Sequence, residues 1–321
     1  MEKITRRSFV GVAALGAGMA LAGCASSSNS ASASASASAK SASASAAAAS
    51  GSASASAAAA TVKPVILVVS FGTSFNDSRQ ITIGAIENDI REAFPDYDVR
   101  RAFTAQIIID KLKSRDGRVI DNVDDALQRC VKDGVKELIV QPTHLMHGFE
   151  YDDLVEAVNG VKDKFTKVVI AEPLLTTDDD YAKVIAAITD AMDKYVDDQT
   201  AIVFMGHGTE HESNSVYATL QDKLKAAGKD HYFITTVEAE PTFEDTIKAV
   251  KDAGFTKAVL RPLMVVAGDH ANNDMADEED PESLASMCKA EGIEVQSVIE
   301  GLGQLIDIDE IYVAHTKAAM K

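Results

Sequence analysis

The chain has 321 residues, with 49 Asp and Glu against 31 Lys and Arg, three cysteines and no tryptophan. A net charge of −18 argues against nucleic acid as a partner, because phosphate recognition needs a basic face. So few cysteines build neither a disulfide framework nor a Cys-rich metal site.

The chain opens with MEKITRRSFVGVAALGAGMALAGC, a basic start followed by an apolar run from Phe9 to Ala22. That run is short and rich in Gly and Ala for a transmembrane helix, and residues 1–24 read as an export signal. Arg6 and Arg7 favour the twin-arginine route over a Sec signal with an incidental pair. The ending LAGC resembles a lipobox. It would leave Cys24 as a lipidated N-terminus and the protein extracytoplasmic, periplasmic or on the outer face of the membrane, and lipid-anchored. Residues 25–60 are almost wholly Ser and Ala. Such residues bury too little apolar surface to offset chain entropy, so this segment reads as a disordered tether. Glu2, Lys3, Arg6, Arg7 and Lys40 are the only charges before residue 61 and sum to +3, which leaves −21 on the remainder.

From residue 61, short β-branched runs alternate with longer amphipathic ones. Strands are expected at 65–70, 98–103, 137–141, 167–171, 201–205, 232–237, 257–262 and 294–299. Helical patterns fall between them, such as SRQITIGAIENDIREAF and TTDDDYAKVIAAITDAMDKY. The second begins with Thr and three Asp, a good N-cap and dipole arrangement. Strand then helix, repeated, means an α/β fold with parallel sheets covered on both faces. Cys130 and Cys288 lie in helix-like stretches and are expected to stay unbridged.

The chain also repeats itself. PVILVVSFGTSFND aligns with TAIVFMGHGTEHES and sets Phe71 opposite His207. YDVRRAFTA aligns with YFITTVEAE and sets Phe103 opposite Glu238. VKELIVQPTHLMHGFEYDDL aligns with TKAVLRPLMVVAGDHANNDM and sets Glu150 opposite His270. Two similar doubly wound halves, 61–190 and 191–321, are expected to face each other across a cleft. Ligands bind beyond the carboxyl ends of such strands, where all three pairs fall.

Three strand ends of the second half thus deliver His207, Glu238 and His270. Two imidazoles and a carboxylate suit Co2+, Fe2+, Ni2+ or Zn2+, and three protein ligands leave a position open. Taken singly, each residue has a plainer role as a loop hydrogen bonder, helix cap or ion-pair partner. The coincidence in one half, against Phe, Phe and Glu in the other, carries the metal reading. GHGTEH and GLGQLI lack the third glycine of a dinucleotide fingerprint and no GxxxxGK[ST] is present, so no nucleotide cofactor is expected. No GxSxG elbow appears. His144 and His147, in QPTHLMHGFEYDD, fit a loop role, a second metal site, axial ligation or substrate contact. His211 reads as solvated.

With VVSFGTS, RAFTA, FEYDDL, PLLTTDDDY, VFMGHG, VEAEP, PLMVVAGDHANNDMA and YVAH on the page, residues 61–321 resemble the anaerobic sirohydrochlorin cobaltochelatases. These are class II chelatases, related to ferrochelatase. The resemblance implies insertion of Co2+ into a tetrapyrrole with release of two protons, as in anaerobic cobalamin biosynthesis. The divalent metal is then a substrate, Co2+ before Fe2+ or Ni2+. The resemblance puts the metal on His207, Glu238 and His270 and the proton chemistry on His207 and Glu238. Phe71, Gly72, Thr73, Arg101 and Phe103 would face the macrocycle. Arg79, Lys111, Arg115 and Arg261 are further candidates for its carboxylates. The export signal suits a rival reading, an extracytoplasmic protein that binds and delivers metal, haem or another tetrapyrrole without turnover. A homo-oligomer is compatible with this sequence.

Overall fold

The computed structural model describes residues 62–321, so the expected signal, lipobox and tether lie outside the described residues. The first half runs β1 (Val65–Ser70), α1 (Asn76–Ile81), α2 (Ile83–Ala93), β2 (Asp98–Phe103), α3 (Gln106–Asp116), α4 (Val123–Lys132), β3 (Glu137–Pro142), α5 (Phe149–Val161), β4 (Lys167–Ile170) and α6 (Asp178–Met192). The second runs β5 (Thr200–Gly206), α7 (Ser215–Ala226), β6 (Tyr232–Thr236), α8 (Phe243–Asp252), β7 (Lys257–Pro262), α9 (Leu284–Ala290), β8 (Glu294–Ser297) and α10 (Ile306–Ala319). Each half is a four-stranded parallel sheet of the same order, β2-β1-β3-β4 and β6-β5-β7-β8.

The strands follow from the residues. β1 and β5 are interior strands and every residue in them is buried. Their side chains alternate between two cores, as a period of two requires. Ile66 and Val68 of β1, with Ile202 and Phe204 of β5, join one cluster that runs through both halves. Val65, Leu67 and Val69 face a second cluster with α4 and α5. Ala201, Val203 and Met205 face a third with α8 and α9. Each large apolar side chain so buried contributes about 1.5–3 kcal/mol. The two free cysteines, Cys130 and Cys288, are buried in these outer cores.

Helix boundaries obey local chemistry. Thr177 caps α6, accepting from the Asp180 amide while the Asp180 carboxylate accepts from the Thr177 amide at 2.8 Å. The helix expected over 78–94 breaks in two at Thr82, whose hydroxyl donates to the Ser78 carbonyl. There Gly303 comes so close that a Cβ on it would lie 3.0 Å from Thr82 Cβ.

The last helix leaves its own half. α10 packs on α2, α6 and β3. Tyr312 donates to the Thr143 carbonyl at 3.0 Å and Thr316 to Gln141 Oε1 at 2.8 Å. His315 sits 2.9 Å from Asp180 Oδ1 and 3.1 Å from the Glu172 carbonyl. α6 in turn reaches the second sheet, where Tyr232 of β6 donates to the Thr189 carbonyl. The shared core and the crossing helices hold the two sheets together. Among the described residues no helix is long and apolar enough to cross a membrane.

One contact of α10 carries a cost. Asp309 is 2% exposed and hydrogen-bonded to Asp89 of α2. Burial, then repulsion from Asp89, pushes Asp309 up to about 9. The folded chain therefore holds a proton there that the unfolded chain loses near pH 4, and stability falls as pH rises across that window. Asp309→Asn is expected to raise the melting temperature at pH 8, by about 2–4 °C for each kcal/mol relieved. The gain should shrink toward pH 4. Scanning calorimetry at the two pH values checks this, and a variant melting below wild type at pH 8 would contradict it.

Candidate functional site

His207 follows β5 between two glycines, and both are required by space. A Cβ on Gly206 would lie 2.2 Å from the Tyr217 ring. Gly208 has φ +84°, and a Cβ there would lie 2.8 Å from the Ala239 amide nitrogen. The Gly208 amide donates to the Tyr217 hydroxyl at 3.3 Å. Burial pushes that phenol up to about 12, so it stays protonated. The His207 carbonyl accepts from the amides of Val237 and Glu238 at 3.1 and 2.9 Å. These bonds seat Glu238 beside the imidazole, with Oε2 3.7 Å from His207 Nδ1.

His270 arrives from the loop after β7 and opens a π-helical turn, Ala271–Met275, anchored by the fully buried Ala271 and Met275. Its ring meets that of His207 edge to face, with centroids 4.6 Å apart. The Nδ1 atoms of both rings are occupied by acceptors. His207 Nδ1 lies 2.8 Å from the Gly208 carbonyl and His270 Nδ1 lies 2.8 Å from Asp274 Oδ2. Both rings must then carry a proton on Nδ1, so that in the neutral form of each ring it is Nε2 that holds the lone pair a metal would take. The Asp274 hydrogen bond holds His270 above the usual imidazole range, against the opposing effect of burial.

The structure thus gathers His207, Glu238 and His270 at the carboxyl edge of the second sheet. Among the described residues, no three His, Cys, Asp or Glu side chains are placed so that together they could hold a metal ion as they stand. The Glu238 carboxylate stands on the Nδ1 side of His207, half exposed.

The facing loops of the first half come close at two points. A Cβ on Gly268 would lie 3.2 Å from Thr73 Oγ1, and one on Gly148 would lie 3.6 Å from Ser213 Oγ. Beside the second contact, Phe149 packs edge-on against His211, whose Nε2 lies 3.4 Å from Asp152. His211 is therefore a cross-half contact as well as a partly exposed loop residue.

Among the expected macrocycle contacts, Phe71 is 48% exposed and Thr73 is buried against the loop that carries His270. Gly72 has φ +102° and lies flat on Phe103, where a Cβ would sit 2.6 Å from the ring. Phe103 itself is fully buried and supports this loop from beneath. Arg101 is held by both oxygens of Glu87, at 2.5 and 2.7 Å. It lines a surface cavity of about 420 Å³ with Arg118, Asp121 and Arg129, flanking β2.

The other cations have mostly structural partners. Arg79 and Arg115 donate to the carbonyls of Thr73 and Ser74 and brace the loop after β1. Arg261 is buried and donates to the Glu300 carbonyl. Lys111 is exposed on α3. His147 Nε2 lies 2.7 Å from Glu172. Among the described residues neither ring nitrogen of His144 has a partner, and burial pushes it down to about 4.

The hydrogen-bond register corrects one part of the repeat. The Ala105 amide donates to the Phe71 carbonyl as the Glu238 amide donates to that of His207. Gly72 lies on Phe103 as Gly208 lies on Thr236. The counterpart of Glu238 is therefore Ala105, and that of Phe103 is Thr236. Sequence similarity slipped by two residues because the strand ends carry no shared side chain to fix it. Two residues that shape the site carry weaker signs in the sequence, or none. Asp274 had a signal, the four-residue spacing from His270. Tyr217 had none, since its role depends on the packing of α7 over Gly206.

The chain resembles known proteins over almost all of the described residues. The family model for cobalt chelatase (CbiK) matches residues 64–321. A sirohydrochlorin cobaltochelatase of Salmonella typhimurium is 37% identical over 81% of this chain and 97% of its own length. The sirohydrochlorin cobaltochelatase CbiKC of Nitratidesulfovibrio vulgaris is 32% identical over 80% of this chain and 91% of its own. Among solved structures, SirB from Bacillus subtilis with Fe3+ superposes with a TM-score of 0.56 at 14% identity, over 80% of this chain and 96% of that one. SirB from Bacillus subtilis subspecies spizizenii in complex with cobalt gives 0.52 at 13% identity, over 80% and 95%. At such identities the structural likeness speaks for the fold, whereas the match of sequence over the whole described region assigns the family. The chain belongs to the CbiK family of cobalt chelatases.

Proposed function

We propose that this chain inserts Co2+ into sirohydrochlorin, with the ion held by His207, Glu238 and His270 before transfer. The observation that carries the reading is the pair of imidazoles in contact. Each has Nδ1 occupied and Nε2 free, and they stand beside a carboxylate at the edge where the two halves meet.

The reaction exchanges charge evenly. The macrocycle must lose two pyrrole protons as it takes a divalent ion. The ion leaves two Nε2 lone pairs behind, and these are the nearest bases for the two protons. His207 is thus both ligand and proton acceptor in turn. Glu238, half exposed, balances the charge of the ion and passes protons to water. Phe71, half exposed on the opposite loop, offers an apolar surface suited to a flat macrocycle, while the buried Gly72 and Thr73 hold that loop in place. Arg101 is assigned to the carboxylates of the macrocycle, at the cost of sharing it with Glu87.

The exported, lipid-anchored state belongs to the same proposal. It rests on the RR pair and the LAGC sequence ending at Cys24.

Two experiments test these assignments. With excess sirohydrochlorin and Co2+, absorbance should show many turnovers per wild-type chain, and His207→Ala should lower kcat/KM at least about 100-fold. Tetrapyrrole binding by fluorescence should survive in the variant. No acceleration over the uncatalysed mixture would refute the chelatase reading. In cells fed labelled fatty acid, the chain should carry label in the membrane fraction, and Cys24→Ala should carry none. Unlabelled wild type in the cytosol would refute the anchored state.

A further inference from the structure

We propose that Asp274 is a positioning residue that makes His270 the holding ligand of the metal and leaves His207 the ligand that releases first. The inference rests on the metal assignment above and adds an order to it.

The two imidazoles are alike in exposing Nε2 and unlike in what occupies Nδ1. His207 donates to the neutral carbonyl of Gly208, the next residue in the chain, at 2.8 Å, and the Glu238 carboxylate stands farther off, 3.7 Å from the same Nδ1 and beyond hydrogen-bond reach. His270 donates to a carboxylate at the same distance, 2.8 Å. A carboxylate behind an imidazole fixes its tautomer and ring plane and makes the opposite nitrogen a stronger donor. A carbonyl fixes the tautomer with less electron donation. The two ligands are therefore built with unequal grips.

The brace is also rigid. Asp274 lies inside the π-helical turn Ala271–Met275, whose ends are pinned by the buried Ala271 and Met275. Asn272 closes the turn, donating from its backbone to the Gly268 carbonyl at 3.2 Å and from Nδ2 to the same oxygen at 2.6 Å. Asp274 is 22% exposed, against 43% for His207 and 53% for Glu238. His207, by contrast, sits on the more open side of the site, bonded to its own backbone.

An unequal pair suits an enzyme whose metal must depart. If both imidazoles held equally, the ion would have to break two equal bonds. With one weaker ligand, the first pyrrole nitrogen can replace His207 while His270 still keeps the ion in place.

The test uses the full chain and Co2+ alone, followed by the visible absorption of the bound ion, and then steady-state insertion. Asp274→Ala is expected to weaken Co2+ binding about 10–100-fold. Asp274→Asn keeps an acceptor for Nδ1–H but loses the charge, and should recover part of that affinity. The KM for Co2+ should rise in the same order, with the KM for the tetrapyrrole unchanged. The paired ligand variants should also differ, with His270→Ala losing more Co2+ affinity than His207→Ala. Wild-type affinity in Asp274→Ala, or Asp274→Asn no better than Asp274→Ala, would overturn the proposal. So would equal losses in the two histidine variants. If neither histidine variant changes Co2+ binding, the metal assignment itself fails, a different result from the loss of order alone.

Discussion

The site depends on a lack of room. Between the Tyr217 ring on one side and the Ala239 backbone on the other, the chain passes His207 through a gap that no Cβ could share. Gly206 and Gly208 are the only residues that fit, and only glycine takes the positive φ of Gly208 without strain. Because the backbone is held so closely, the His207 carbonyl lies in place to accept from Glu238. The imidazole then turns back on its own chain, Nδ1 on the Gly208 carbonyl, and presents Nε2 outward. The place of the imidazole, its neighbouring carboxylate and its Nδ1 proton all follow from one tight passage of backbone.

The rest of the fold brings a second imidazole, His270, to that point. Two sheets of equal order share a core through α6 and α10, and the loops at their carboxyl edges meet, Gly268 against Thr73. On this near-symmetric frame the halves have diverged. At positions related by the hydrogen-bond register, the second half carries His207, Glu238 and His270 where the first carries Phe71, Ala105 and Glu150. One half supplies donors and the other supplies a largely apolar face.

Much of this was legible in the chain because parallel strands buried on both faces read as unbroken β-branched runs. β1, VILVVS, is such a run and its bounds fall where the run begins and ends, whereas β2, DVRRAF, is a partly exposed edge strand. His207 and His270 were legible because each follows such a run. Other features depend on distant partners and leave no local mark. The crossing of α10 is fixed by Tyr312 and Thr316 finding acceptors far away in sequence. Arg101 is an unpaired cation on paper and a bidentate partner of Glu87 in space. Phe103 reads as an exposed aromatic wall and is the floor under Gly72. The two-residue slip that set Phe103 against Glu238 came from matching letters where only backbone hydrogen bonds are shared.

Cobalt K-edge X-ray absorption of the chain loaded with one equivalent of Co2+, before any tetrapyrrole is added, tests the arrangement most directly. The proposed assignment predicts a first shell of two imidazole nitrogens and carboxylate oxygen with at least one exchangeable water, and loss of one imidazole in each of His207→Ala and His270→Ala. A shell of oxygen alone, or one unchanged in both variants, would contradict a metal held at His207, Glu238 and His270.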